Sequence, residues 1–131
     1  MGGNGREKIL LVDDDKNILE VLKMRLESKG YSIATSENGT DAIERIKKER
    51  INLVISDLRM SVMNGMELMQ EIMNIDPELP IIILTAHGSI ENAVEAMQKG
   101  AYSYITKPFD DEYLLLHIKN AIEKQRLTSE I

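Results

Sequence analysis

The chain has no cysteine and no tryptophan, and only one phenylalanine and two histidines among its 131 residues. The lack of cysteine excludes a disulfide framework and any thiolate metal site. No apolar run approaches the roughly 20 residues that cross a bilayer. No basic start is followed by an apolar signal core either, so a cytoplasmic location without membrane contact is expected. Basic residues are outnumbered, 16 against 22 acidic ones, for a net charge of -6. That balance argues against direct nucleic-acid binding by this stretch, because such binding is driven by phosphate neutralisation. Neither G-x-x-x-x-G-K-[ST] nor G-x-G-x-x-G occurs, which weakens any reading as a nucleotide-binding module. With aromatics scarce, Ile, Leu, Val and eight Met must fill the core.

What is present is an alternation of two periods. Lys8 to Val12 reads as a short aliphatic strand ending on Asp13, Asp14 and Asp15, after which Ile18, Val21, Leu22, Arg25 and Leu26 fall at helical spacing until Gly30. Tyr31 to Ser36 is a weaker strand, Asn38-Gly39 a turn, and Asp41 to Arg50 a polar helix with Ala42, Ile43 and Ile46 inward. Leu53 to Ile55 is an unbroken aliphatic run, suited to a strand buried on both faces, and it leads directly to Asp57. A helix through Met66, Met69, Ile72 and Met73 follows and stops at Pro77 and Pro80. Ile81 to Leu84 is a further apolar strand ending on Thr85. Ser89 is the candidate N-cap of a helix with Ala93, Val94 and Met97 inward, closed by Gly100. Tyr102 to Thr106 makes a fifth strand, Lys107-Pro108 a turn, and Asp110 or Asp111 caps a long helix through Leu115, Ile118 and Ile122.

Five strands alternating with five helices call for one α/β domain, a parallel sheet with helices on both faces in three doubly wound layers. The most apolar runs, from Ile9, Leu53 and Ile81, are the expected central strands. This placement brings Asp13, Asp14, Asp57, Thr85 and Lys107 to the carboxyl edge of the sheet, where ligands of open α/β folds gather. Clustered carboxylates repel, so a cation should sit among them. An all-oxygen set without His or Cys favours Mg²⁺. Two cations and a hydroxyl donor around one carboxylate suit phosphoryl transfer to that carboxylate.

This set, Asp13-Asp14, Asp57, Thr85-Ala86 and Lys107-Pro108, resembles the receiver domain of two-component response regulators, over Lys8 to about Arg126. The resemblance implies a flavodoxin-like (βα)5 fold with strand order 2-1-3-4-5. It implies that Asp57 accepts a phosphoryl group from a sensor histidine kinase, that Asp13, Asp14, Asp57 and the backbone carbonyl of Arg59 hold Mg²⁺, and that Thr85 and Lys107 contact the phosphoryl oxygens. Tyr104 matches the aromatic that turns inward when Thr85 moves, and Lys107-Pro108 the family's cis peptide. The protein would then be a regulatory phosphoacceptor that assists its own phosphorylation and dephosphorylation, not a conventional enzyme. Leu84 to Asp110 is most similar to receivers of the nitrogen-regulation type, which precede an AAA+ ATPase and DNA-binding output active with sigma-54. Residues 1–7 are expected as a flexible tail, 8–126 as the receiver and 127–131 as the start of a linker or a frayed end. A homodimer could form through the fourth helix, fifth strand and last helix, or through a stripe of Leu115, Ile118 and Ile122.

One departure stands out: Ser61 occupies a position where the family usually has proline, a change expected to loosen the loop without removing a ligand. Arg59 and His87 occupy positions that border the path of the hydrolytic water in the family. The bulk of Arg59 is hypothesised to slow self-dephosphorylation, while His87 itself is read as a surface residue and His117 as exposed or at a contact surface. Asp15 is read as a helix cap, and Met60, Met63, Met66, Met69 and Met73 as core and loop filler. Two rivals remain. The same family could act as a free-standing switch, and Asp13-Asp14-Asp15 carries the D-x-D spacing of aspartate-nucleophile phosphohydrolases, though Asn17 departs from their pattern.

Overall fold

The computed structural model describes residues 6–129, so most of the expected tail and positions 130–131 lie outside the described residues. The elements run β1 (Lys8–Val12), α1 (Lys16–Glu27), β2 (Ser32–Ser36), α2 (Gly39–Lys48), β3 (Leu53–Ser56), α3 (Gly65–Ile75), β4 (Ile81–Thr85), α4 (Ile90–Gln98), β5 (Ser103–Thr106) and α5 (Asp111–Ser129). All strand pairs are parallel, in the order β2-β1-β3-β4-β5. The three aliphatic runs expected at the centre are the three interior strands.

Alternation along each strand divides the core into two layers. Leu10, Val12, Val54, Ile81 and Ile83 face Ala42 of α2, Leu68, Met69 and Ile72 of α3, and Ala96 of α4. Ile9, Leu11, Leu53, Ile55, Ile82 and Leu84 face Leu19, Leu22 and Leu26 of α1 and Leu114, Ile118 and Ile122 of α5. Each fully buried aliphatic side chain contributes about 1.5 to 3 kcal/mol. Because both faces of β1, β3 and β4 are covered, side chains there have nowhere to point but into a layer. The functional edge is therefore the strand ends.

Helix starts are set by side chains that accept the first unpaired N–H groups. Asp15 caps α1 by accepting from Asn17 and Ile18, and Asn38 caps α2 by accepting from Asp41. Ser89 caps α4 by accepting from Asn92. Asn64 and Glu67 form a reciprocal capping box at α3.

Four details differ from the sequence reading. Helix α2 starts and ends two residues earlier than expected, because Asn38 and Gly39 act as its cap and first residue rather than as a separate turn. In α1 the buried face is Leu19, Leu22 and Leu26, leaving Val21 46% exposed. In α4 the residue against the sheet is Ala96, fully buried, while Val94 and Met97 point outward at 50% and 48% exposure. Ile118 and Ile122 of α5 are core residues, so they are not free to form a dimer stripe. The exposed apolar side chains of α5 are Tyr113, Leu116 and Leu127.

Candidate functional site

Pairing of β1 with β3 sets Val12 beside Ser56, which carries the next residues, Asp13 and Asp57, to the same edge. The Asp57 N–H donates to the Val12 carbonyl at 3.0 Å, fixing that register one step beyond the strands. Asp13, Asp14 and Asp57 each offer a carboxylate oxygen, and these atoms lie within 4.8 Å of one another. Asp13 is buried, Asp57 half-buried and Asp14 exposed.

The cluster is arranged for charge. Asp13 Oδ1 accepts the Asp15 N–H at 2.9 Å, and the Lys107 ammonium stands 3.9 Å from Asp13 Oδ2. Burial nevertheless holds the Asp13 carboxyl above the usual carboxylate range; the charge of Asp57 pushes the same way, against the Asp15 N–H and Lys107. A divalent ion would relieve that cost, and a donor set of carboxylates with no nitrogen or sulfur fits a hard ion such as Mg²⁺. Asp57 Oδ1 accepts from Leu58 N–H at 2.9 Å. Lys107 and Asp57 line one small cavity with Asp13, above Leu11, Leu19, Ile55 and Leu84.

Thr85 and Lys107 arrive from the adjacent ends of β4 and β5. Thr85 is fully buried, its hydroxyl oxygen accepts from His87 N–H at 3.0 Å, and its carbonyl accepts from Lys107 N–H at 2.9 Å. The Lys107-Pro108 peptide is cis. Tyr104 is half-buried against the α2–α4 layer, and its buried hydroxyl has no hydrogen-bond partner among the described residues. Arg59 and His87 are exposed side chains, and Arg59 opens onto a polar groove between α3 and α4 that Glu95 and Lys99 also line.

The remaining sequence readings resolve simply. Met66 and Met69 are buried, and Met60, Met63 and Met73 pack against the same layer. His117 is tied down rather than free: its Nδ1 lies 2.7 Å from Ser103 Oγ and its ring meets Tyr113 at 4.6 Å. Asp15 caps α1 with its carboxylate, so the second acid of the D-x-D pair is occupied away from the cluster, which removes the geometric basis of the phosphohydrolase reading.

Two positions matter more than the sequence reading allowed. Ser61 reaches Asp14 Oδ2 with its N–H at 3.4 Å and its hydroxyl at 3.5 Å. Gly65, the first residue of α3, lies where a Cβ would come 2.4 Å from the Asp57 carbonyl oxygen. The asparagine-glycine pair at 64–65 was the available signal for the second; the first follows from no local pattern.

Among the described residues no helix is long and apolar enough to cross a membrane. Comparison with known proteins agrees with the geometry. The family model for the response regulator receiver domain matches residues 9–119. The transcriptional regulatory protein GlrR of Escherichia coli (strain K12) is 49% identical over 116 residues, 88% of this chain and 26% of that protein. The chain thus spans about a quarter of the length of the curated relatives it matches. A response regulator receiver domain protein from Clostridium thermocellum has a TM-score of 0.89 at 36% identity, covering 93% of this chain and 98% of the other. The beryllofluoride-activated NtrC4 receiver domain dimer has a TM-score of 0.85 at 35% identity, covering 90% and 98%. A match running from the second residue of β1 into α5, over a backbone shared this closely, establishes that the chain belongs to the response regulator receiver domain family.

Proposed function

We propose that Asp57 is the phosphoacceptor of a signalling switch. A sensor histidine kinase presents a phosphohistidine; the N–P bond breaks as Asp57 Oδ forms the new O–P bond, and the imidazole leaves. Asp13, Asp14, Asp57 and the Arg59 carbonyl would hold Mg²⁺, which when bound neutralises charge on the transferring group. Lys107 supplies the second positive charge. Thr85 offers its hydroxyl to a phosphoryl oxygen, and this movement vacates space for the Tyr104 ring, shifting the population of the α4–β5–α5 face.

The observation that carries this reading is the convergence of three carboxylates at the sheet's carboxyl edge, two of which, Asp13 and Asp57, share a small cavity with Lys107. The output is an AAA+ ATPase and DNA-binding region working with sigma-54 in the cytoplasm, joined through a linker that begins at residues 127–131. The receiver proper is 8–126. An outward apolar stripe on α4, with Ile90 at 85% exposure beside Val94 and Met97, supports a homodimer through α4–β5–α5.

Incubation with phosphoramidate and Mg²⁺, followed by intact-mass measurement, tests the assignment. The wild type should gain a single phosphoryl group, and Asp57→Asn none while keeping its circular dichroism spectrum. Equal incorporation by Asp57→Asn would overturn it.

A further inference from the structure

The three acids are not held alike. Asp13 and Asp57 each accept an N–H from a nearby residue of their own segment, whereas Asp14, the exposed member, is tied across the site to Ser61. Both donors of Ser61 address the same oxygen, Oδ2, leaving Oδ1 without a protein donor among the described residues. Two donors on one oxygen bias the orientation of the Asp14 carboxylate. The bonds are long, so they orient Asp14 more than they stabilise the fold.

The loop carrying Ser61 is itself anchored. The Ser61 carbonyl accepts from Met63 N–H at 2.7 Å, closing a three-residue turn with Val62 at φ 69° between them. A β-branched residue in the left-handed region is strained, and Val62, at 98% exposure, gains no packing in return. The turn persists because its far side is pinned: Met63 lies against the start of α2, where a Cβ on Gly39 would come 2.5 Å from the Met63 Sδ. Proline at 61 would have no N–H and no hydroxyl to offer.

We propose that Ser61 is a positioning residue for the divalent ion, holding Asp14 toward Asp13 and Asp57 through donors that the family's usual proline lacks. This rests on the reading of the three acids as the ion site. Outer-shell partners of metal-binding carboxylates commonly govern affinity in this way.

The test is Mg²⁺ titration of the 131-residue chain by calorimetry, with no phosphodonor present. Ser61→Pro should raise the Mg²⁺ Kd about tenfold, the low end for outer-shell partners, and Ser61→Ala, which keeps the N–H, about threefold. Ser61→Thr should restore wild-type affinity. In an Asp14→Asn background the Ser61→Pro step should have no further effect, which a merely structural role would not predict. A Ser61→Pro Kd equal to wild type, or the same loss persisting in Asp14→Asn, would overturn the proposal. Should Ser61→Pro fail to fold, Ser61→Ala decides, wild-type affinity there being the overturning result. A wild type that binds no Mg²⁺ would instead overturn the ion site itself, a distinguishable failure.

Discussion

Gly88 leaves the room that the Tyr104 hydroxyl occupies: a Cβ on residue 88 would lie 3.0 Å from that oxygen and 2.6 Å from Thr106 Cγ2. The hydroxyl is buried there with no hydrogen-bond partner among the described residues. An orphaned polar group costs stability, so Tyr104→Phe should raise the unfolding free energy of the unphosphorylated chain by about 1 kcal/mol. Gly88→Ala should lower it by crowding the same ring. Urea denaturation checks both, and a Tyr104→Phe protein less stable than wild type would show that the hydroxyl is satisfied.

Mg²⁺ should stabilise the fold, since it binds an assembled cluster that the unfolded chain lacks. At 100 times its Kd the gain is about 2.7 kcal/mol, several degrees in Tm. Asp13→Asn removes a buried carboxylate held above its usual range, so it should raise Tm without Mg²⁺ and abolish the increment with it. Thermal melts with Mg²⁺ and with EDTA read both effects.

Two glycines should separate strain from crowding. Gly65→Ala drives a methyl into the Asp57 carbonyl, so a loss of about 2 kcal/mol together with slower phosphorylation is expected. Gly30 has open space around it but φ of 100°, so Gly30→Ala should cost about 1 kcal/mol and leave phosphorylation unchanged. Denaturation curves paired with phosphoramidate kinetics distinguish them.

Glu49 clasps two elements, accepting from Lys8 Nζ of β1 and Arg45 Nη1 of α2, each at 3.0 Å. The hydrogen bond from Lys8, chiefly, holds its carboxyl below the ordinary 4.5. A lowered acid stabilises the fold above its unfolded value, and that contribution disappears as pH falls through the folded value. Glu49→Gln should therefore be less stable than wild type at pH 7 by less than about 1 kcal/mol. The gap should close as pH drops below 4.5, followed by Tm against pH.

Arg59→Ala should shorten the phosphoryl lifetime, because removing an exposed bulky side chain two residues beyond Asp57 opens the approach for water. Decay of the phosphorylated chain after donor removal measures this, and an unchanged half-life would refute the shielding role.

The strands were legible because three of them are unbroken aliphatic runs, and a run buried on both faces has only one place in a parallel sheet. The acids, Thr85 and Lys107 were legible because strand ends need no long-range knowledge to locate. Helix faces were harder. In α4 the most regular apolar spacing, Ile90, Val94 and Met97, belongs to the outward surface, while the inward contact is the small Ala96. Periodicity finds an apolar stripe without telling which surface it serves. The tie between Ser61 and Asp14 joins residues 47 apart in sequence, and only the folded chain brings them together.

The strand order has a consequence for how such a switch can fail. Every acid of the cluster is delivered by the first two interior strands, and the hydroxyl, the ring and the amine by the next strand and the edge. The seam between these halves is the β3–β4 ladder, where Val54, Ile55 and Ser56 pair with Ile81, Ile82 and Ile83. Loosening that seam would draw the acids apart from the amine, the hydroxyl and the ring together, with every one of those side chains intact.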